Sequence, residues 1–244
     1  MRKLVTILVI IVTLFMLVGC SIKENPRAKI VNQFDEYLDN DIIDEDDFDK
    51  FINDVSNYNV PGFVVVRATL RNAFNQIIEI REGTGFVFAI YDESLRVLTS
   101  LDIVRTQDES QKLTVEILDY ANRLYSALVL TRSEEYNLAT IKFDTYAAVA
   151  KLRKMDISPY VPMDNEPILM ISNYKRSRNS LNMGWIIEKN SETGFYKTSL
   201  PADEYIIGGT VINLNKEIVG IVVSVESGVA NVLGVEHLRA FLNI

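Results

Sequence analysis

The chain has 244 residues, 48% hydrophobic and 24% charged, an ordinary globular composition long enough for one double-lobed domain or two small ones. A net charge of −8, with no sizeable Lys/Arg cluster, argues against nucleic acid and against charge-driven binding to anionic headgroups, both of which need concentrated cations. One cysteine and one histidine exclude an intramolecular disulfide and a Cys/His zinc site, and any imidazole chemistry must use His237.

Arg2 and Lys3 precede an apolar run over residues 4–18. This run has the length of a signal-peptide core and falls short of the roughly 20 apolar residues that a spanning helix needs. It ends in Leu17-Val18-Gly19-Cys20-Ser21, which resembles the lipobox of bacterial lipoproteins, where the cysteine receives diacylglycerol. The resemblance implies a signal peptide over residues 1–19 and a lipid-modified, palmitate-bearing Cys20. Two acyl chains anchor stably where one binds only marginally. The expected location is the extracytoplasmic face of the cell membrane, anchored and not spanning.

Residues 20–60 read as an acidic helical linker or stalk. Ile30, Phe34 and Leu38 share one helical stripe, and Phe48, Ile52 and Val55 another. Between them lie Asp39, Asp41, Asp44, Glu45, Asp46, Asp47 and Asp49. A calcium loop opening at Asp39 would need Gly sixth and Glu twelfth, but those positions hold Asp44 and Lys50. The stretch reads as a solvated helix face, with no metal site and no cofactor expected.

From Pro61 onward short β-type runs alternate with turns. They cover residues 63–70, 77–80, 86–91, 97–99, 113–118, 125–130, 138–143, 168–171, 185–188, 195–198, 211–214 and 218–225. Their richness in Val, Ile, Tyr and Phe, with many spaced eight to fifteen residues apart, predicts an antiparallel all-β barrel or sandwich. No helix-sized segment alternates with the strands, which argues against a doubly wound α/β fold. Apolar positions at helical spacing over residues 235–242 predict a short closing helix, and Trp185 reads as core.

Four collinear segments then resemble the trypsin-like serine proteases of the HtrA type, over about residues 60–244. Gly83-Thr84-Gly85-Phe86-Val87, followed by Arg96-Val97-Leu98-Thr99-Ser100-Leu101-Asp102-Ile103-Val104, is similar to the family's Gly-Ser-Gly turn, strand and Leu-Thr-Asn-x-His-Val-Val. Glu134-Glu135-Tyr136-Asn137-Leu138-Ala139-Thr140-Ile141-Lys142 resembles Asp-Leu-Ala-x-Leu-Lys. Pro167-Ile168-Leu169-Met170-Ile171-Ser172-Asn173, then Gly184, is similar to the segment that carries Gly-Asn-Pro. Ile206-Ile207-Gly208-Gly209-Thr210-Val211 with Gly220-Ile221 looks like Asn-Ser-Gly-Gly-Pro-Leu and its Gly-Ile. Gly234-Val235-Glu236-His237-Leu238 matches the closing strand and helix. The resemblance implies a trypsin-like double β-barrel over residues 61–244, with short N-terminal helices, a short C-terminal helix and no PDZ module after it.

The same positions carry no catalytic set. The resemblance places the family's histidine on Asp102, its aspartate on Asn137, its nucleophilic serine on Ile207 and its oxyanion glycine on Tyr205. A carboxylate, with an ordinary pKa of about 4, is a feeble base toward a hydroxyl. Isoleucine offers no nucleophile, and asparagine no charge to steady an imidazolium. Thr198, Ser199 and Thr210 flank the position without a nearby histidine, and taking Asp108 or Asp119 as the acid still leaves no base. His237 reads as a helix residue away from the cleft. The expectation is a pseudoprotease that binds a peptide or protein through the old cleft or through the loop over residues 172–182, whose Lys175-Arg176-Ser177-Arg178-Asn179 is basic. The alternative is a trypsin-like endopeptidase with non-standard catalytic residues. Gly83, Gly85, Gly208, Gly209 and Gly220 are expected where the fold needs tight turns or close backbone approach.

Overall fold

The structure is a computed structural model and describes residues 45–108, 110–145 and 151–244. Cys20, the first helical stripe (Ile30, Phe34 and Leu38) and the start of the acidic stretch lie outside the described residues.

The second stripe is a helix, α1 (Glu45–Tyr58). Its Val55 is fully buried, with Phe51 and Ile52 packed beside it. The helix is therefore docked on the body. Lys216 holds Asp54 at 2.9 Å, and the Asn59 amide donates to the Lys216 carbonyl at 3.0 Å. A 3-10 turn at Val60–Gly62 then delivers the chain into the first strand.

Twelve antiparallel strands follow among the described residues. β1 (Phe63–Arg71), β2 (Ile77–Tyr91), β3 (Ser94–Ser100), β4 (Lys112–Leu118), β5 (Leu124–Ser133) and β6 (Leu138–Asp144) close a barrel in the order β1-β2-β3-β6-β5-β4. β7 (Pro167–Ser172), β8 (Ser180–Lys189), β9 (Phe195–Thr198), β10 (Thr210–Ile212), β11 (Ile218–Glu226) and β12 (Val229–Gly234) close a second in the order β10-β11-β12-β9-β8-β7. A one-turn helix, α2 (Leu101–Val104), follows β3, and α3 (Val235–Leu242) ends the chain. This is the trypsin-like double β-barrel that the sequence motifs imply.

Three apolar clusters organise it. Val64, Val66, Leu70, Val97 and Ile141 fill the first barrel. Ile168, Met170, Val211, Val219 and Val232 fill the second. A third lies between the barrels: Phe63, Phe86, Leu98 and Leu138 from one side meet Leu169, Ile171, Ile212, Ile221 and Val223 from the other. Strands along this seam are covered on both faces. β7 is buried at every position, and so it reads as a continuous apolar run rather than an alternating one. Each fully buried Leu, Ile or Phe contributes about 1.5–3 kcal/mol of hydrophobic stabilisation.

The structure departs from the sequence reading at four places. Residues 77–80 and 86–91 belong to one strand, and Gly83-Thr84-Gly85 makes no turn: Gly83 pairs with Val66, and Gly85 with Val64 and Thr99. The glycines are there for close approach. A Cβ at Gly83 would lie 2.2 Å from Ile103 Cδ1 and 2.6 Å from the Ile207 carbonyl oxygen. β12, whose apolar positions are interrupted by Asn231, stands out in the sequence only through the closing-strand resemblance. β8 begins at Ser180, which shortens the basic loop. Trp185 is 39% exposed on β8 rather than in the core.

Gly208 carries the sharpest constraint. Its φ is +78°, and a Cβ there would lie 1.8 Å from the Thr84 carbonyl oxygen. Gly228 has a similar φ of +76° but nothing within 4 Å. In urea unfolding, Gly208→Ala should cost about 3 kcal/mol or more. Gly228→Ala, which meets only the left-handed backbone penalty, should cost about 1–2 kcal/mol.

Candidate functional site

Asp102 is positioned by a cap. Ser100, extended at φ −69° and ψ 140°, accepts the Asp102 amide hydrogen at 3.2 Å and starts α2. The same hydroxyl donates to the Val223 carbonyl at 2.7 Å, pinning α2 to the second barrel. Leu101, Ile103 and Val104 are buried, which leaves the Asp102 side chain, 38% exposed, on the cleft side.

Asn137 sits in the turn between β5 and β6 at φ 51°, a left-handed conformation that asparagine tolerates better than most residues. Its carbonyl accepts the Leu101 amide at 2.9 Å. Its side-chain amide donates to Asp102 Oδ2 at 3.0 Å and to the Val223 carbonyl at 3.1 Å. Arg105 closes the group by donating to Asn137 Oδ1 at 3.0 Å and Asp102 Oδ1 at 3.3 Å, and it also pairs with Glu134. The hydrogen bond to Glu134, followed by the attraction of Glu134 and Asp102, raises the Arg105 pKa above its ordinary value. Both Asp102 oxygens thus accept from side chains, and an arginine–asparagine pair holds the carboxylate.

Ile207 lies across the same cleft, after a 3-10 turn at Glu204–Ile206. Half-buried, it packs against the first-barrel core. Its carbonyl accepts the Thr84 amide at 2.9 Å, while Gly208 donates to Val222 at 2.7 Å and Gly209 to Ile206 at 2.6 Å. The elbow is bonded to both barrels. The Tyr205 amide donates to Asp203 Oδ1 at 2.9 Å, and Asp203 Oδ2 accepts the Lys175 amide at 2.7 Å. At the place where the resemblance puts an oxyanion donor, the N–H already serves a carboxylate.

Asp102, Ile103, Tyr205 and Ile207 line one cavity of about 610 Å³, together with Ile80 and Arg81 from β2. Asn137 stands behind Asp102. The structure therefore brings together the positions the sequence singled out. It also adds Arg105 and Asp203, which sequence reasoning assigned no part in the site, and brings Arg176 of the basic loop to the same cavity. Arg105 lies three residues beyond Asp102, but nothing in the sequence announces that it reaches Asn137.

The flanking hydroxyls have other work. Ser199 Oγ accepts the Trp185 amide at 2.8 Å, and Thr198 Oγ1 the Leu200 amide at 3.4 Å. Thr210 is fully buried, with Oγ1 3.5 Å from the Gly208 carbonyl. Asp119 is buried and accepts from the Ala121 and Arg123 amides, the Arg123 side chain and the Tyr125 hydroxyl, an arrangement that shapes the turn between β4 and β5. Asp108 accepts the Ser110 amide in a loop. His237 packs edge-on to Tyr136 at 5.6 Å, and a Cβ at Gly194 would run into its ring. No group of three or more His, Cys, Asp or Glu side chains among the described residues is arranged to hold a metal ion.

No protein-family model matches the chain. Among curated proteins, serine protease HTRA1B of Danio rerio is 24% identical over 206 residues, covering 79% of this chain. The chain spans 40% of that relative's length. A likeness of this degree speaks for the fold, in agreement with the two closed six-stranded barrels.

Removing the Asn137 side chain would free Asp102 on one side and withdraw a donor from Val223. Asn137→Ala should lower the unfolding free energy by about 2 kcal/mol in urea titration. Asp102→Asn, at a partly exposed and solvent-screened ion pair, should change it by less than about 1 kcal/mol.

Proposed function

We propose that this chain is a pseudoprotease: a lipoprotein anchored through Cys20 to the extracytoplasmic face of the cell membrane, whose trypsin-like body binds a peptide or protein without hydrolysing it. One observation carries the reading. The nucleophile position is an isoleucine packed against the first-barrel core, and the neighbouring Tyr205 amide is bonded to the Asp203 carboxylate. Acyl transfer needs a nucleophile, a base and donors aimed at a developing oxyanion. Here the first is a hydrocarbon, the base position is a carboxylate held by arginine and asparagine, and an N–H of the third kind faces a negative charge. The only histidine in the chain, His237, is engaged with Tyr136 and Gly194.

Binding asks for less than catalysis does. β10 covers β11 only between Ile218 and Ile221. Beyond Val222, among the described residues, no strand pairs with residues 224–226 on that edge. An extended peptide fits such an edge by strand addition, using backbone groups and needing no triad. The Danio rerio relative is named as a serine protease; this chain keeps the scaffold of such an enzyme and is proposed to have dropped its chemistry.

Two experiments test the reading. A fluorophosphonate serine-hydrolase probe should leave the chain unlabelled, and unfolded casein should be cleaved at least about a hundred-thousandfold more slowly than by an active trypsin-like control. Ile207→Ser should remain unlabelled, because no imidazole activates the new hydroxyl. Labelling of the wild type, lost in Asp102→Ala, would instead establish a hydrolase with non-standard residues. For the anchor, palmitate should label the wild-type chain in cells, whereas Cys20→Ala should stay unlabelled and leave the membrane fraction.

A further inference from the structure

The two walls of the cleft differ in how their charges are neutralised. On the first-barrel side Arg81, Arg67 and Arg105 are each paired with a carboxylate. Arg81 bonds Glu79 at 2.5 Å and also donates to the carbonyls of Asp102 and Arg105. Arg67 bonds Glu82 at 2.5 Å, and Arg105 holds Asp102 and Glu134. The Arg81 hydrogen bond holds the Glu79 carboxyl below the usual range.

On the second-barrel side the cations meet neutral groups. Arg176 donates to the Tyr205 hydroxyl and stacks over that ring at 4.7 Å, while Arg178 donates to Asn122 Oδ1 at 2.5 Å. Among the described residues neither forms an ion pair. Both line the cavity, where Glu204 is the one carboxylate on their wall. Lys175 adds a third cation to the same exposed turn.

The turn is also held in a costly shape. Lys175 at φ 51°, Arg176 at 62° and Asn179 at 55° are left-handed without being glycine, a conformation that costs roughly 1–2 kcal/mol per residue. Three bonds fix it: the Lys175 amide to Asp203, the Tyr174 amide to Ser180 at 3.0 Å, and the Ser177 amide to the Tyr174 carbonyl at 2.9 Å. The two guanidinium groups are thus presented by an ordered turn on a protein whose net charge is −8. Facing them are Ile80, 56% exposed, with Ile103 and Ile207, and the carboxylates Glu79, Glu82 and Asp102, each already paired with an arginine of its own wall.

Resting on the peptide-binding reading above, we infer that the cleft takes an extended acidic peptide, its carboxylates on Arg176 and Arg178 and an aliphatic side chain between Ile80 and Ile207. A cavity of about 610 Å³ lies in the range of sites that enclose a ligand of many atoms rather than a single ion, about 300–1,000 Å³. Guanidinium groups bind carboxylates in a forked geometry, which suits aspartate and glutamate side chains.

The probe is a fluorescein-labelled decapeptide of alternating aspartate and leucine, with asparagine–leucine and lysine–leucine counterparts. Binding to the full chain is read by anisotropy at low and high salt. The aspartate peptide should bind at least tenfold tighter than the asparagine peptide and weaken with added salt. The double variant Arg176→Glu/Arg178→Glu, with an unchanged thermal melt, should lose that preference and favour the lysine peptide. Equal binding of the aspartate and asparagine peptides, or an aspartate affinity unmoved by the double variant, overturns the acidic assignment and leaves peptide binding standing. Should none of the three bind while an unbiased peptide array yields other ligands, the acidic assignment alone falls. A blank array removes peptide binding itself.

Discussion

The Val223 main-chain carbonyl accepts from Ser100 and from Asn137, one residue at the start of α2 and the other in the turn between β5 and β6. A single acceptor on the second barrel therefore sets the position of both first-barrel loops that face the cleft. Leu98 and Leu138 on one side and Ile221 and Val223 on the other are buried around that oxygen, and the low dielectric of such a seam strengthens both bonds. Asp102 follows from it through the Ser100 cap, and Asn137 follows directly. A pair of barrels joined by apolar contact alone would be free to slide, whereas two hydrogen bonds at the centre of the seam fix the register.

The same bonds give the site its shape. In a working triad the bonds run from carboxylate to imidazole to hydroxyl and are spent on moving a proton. Here Asp102 and Asn137 bond each other, and Arg105 bridges them. The group is a clasp between a loop and a turn. On the opposite wall the elbow at Gly208-Gly209 is held by Thr84, Val222 and Ile206. Its geometry is supported by the packing of both barrels, so a change of side chain at Ile207 leaves the backbone path in place.

The rim of the cleft is organised by a different set of contacts. Asp203 is central there, since one carboxylate caps the turn that carries Tyr205 and holds the turn that carries Arg176. Tyr205 in turn supports the Arg176 guanidinium. The residue that takes up the Tyr205 N–H is thus the residue that orders the basic turn, and the two effects share one physical cause.

Much of the fold was legible in the chain itself. Apolar runs bounded by turns marked eleven of the twelve strands among the described residues. The glycines at 208, 209 and 220 marked where backbone approaches backbone, and residues 235–242 carried a helical period. Legibility failed where local pattern and tertiary role diverge. Gly83 and Gly85 look like a turn, but they are small because Ile103, Ile207 and Val97 crowd a continuous strand. Trp185 looks like core, yet it stands at the surface because its neighbours Gly184 and Ile186 take the inward positions. At the site, residue identity alone gave the side-chain chemistry of Asp102, Asn137 and Ile207. That Arg105 would bridge the first two, that Asp203 would bond Tyr205 and Lys175, and that Arg176 and Arg178 would face the cleft without carboxylate partners were decided by tertiary structure. Each of those contacts depends on where separate loops meet once the seam has closed, and no spacing along the chain encodes that distance.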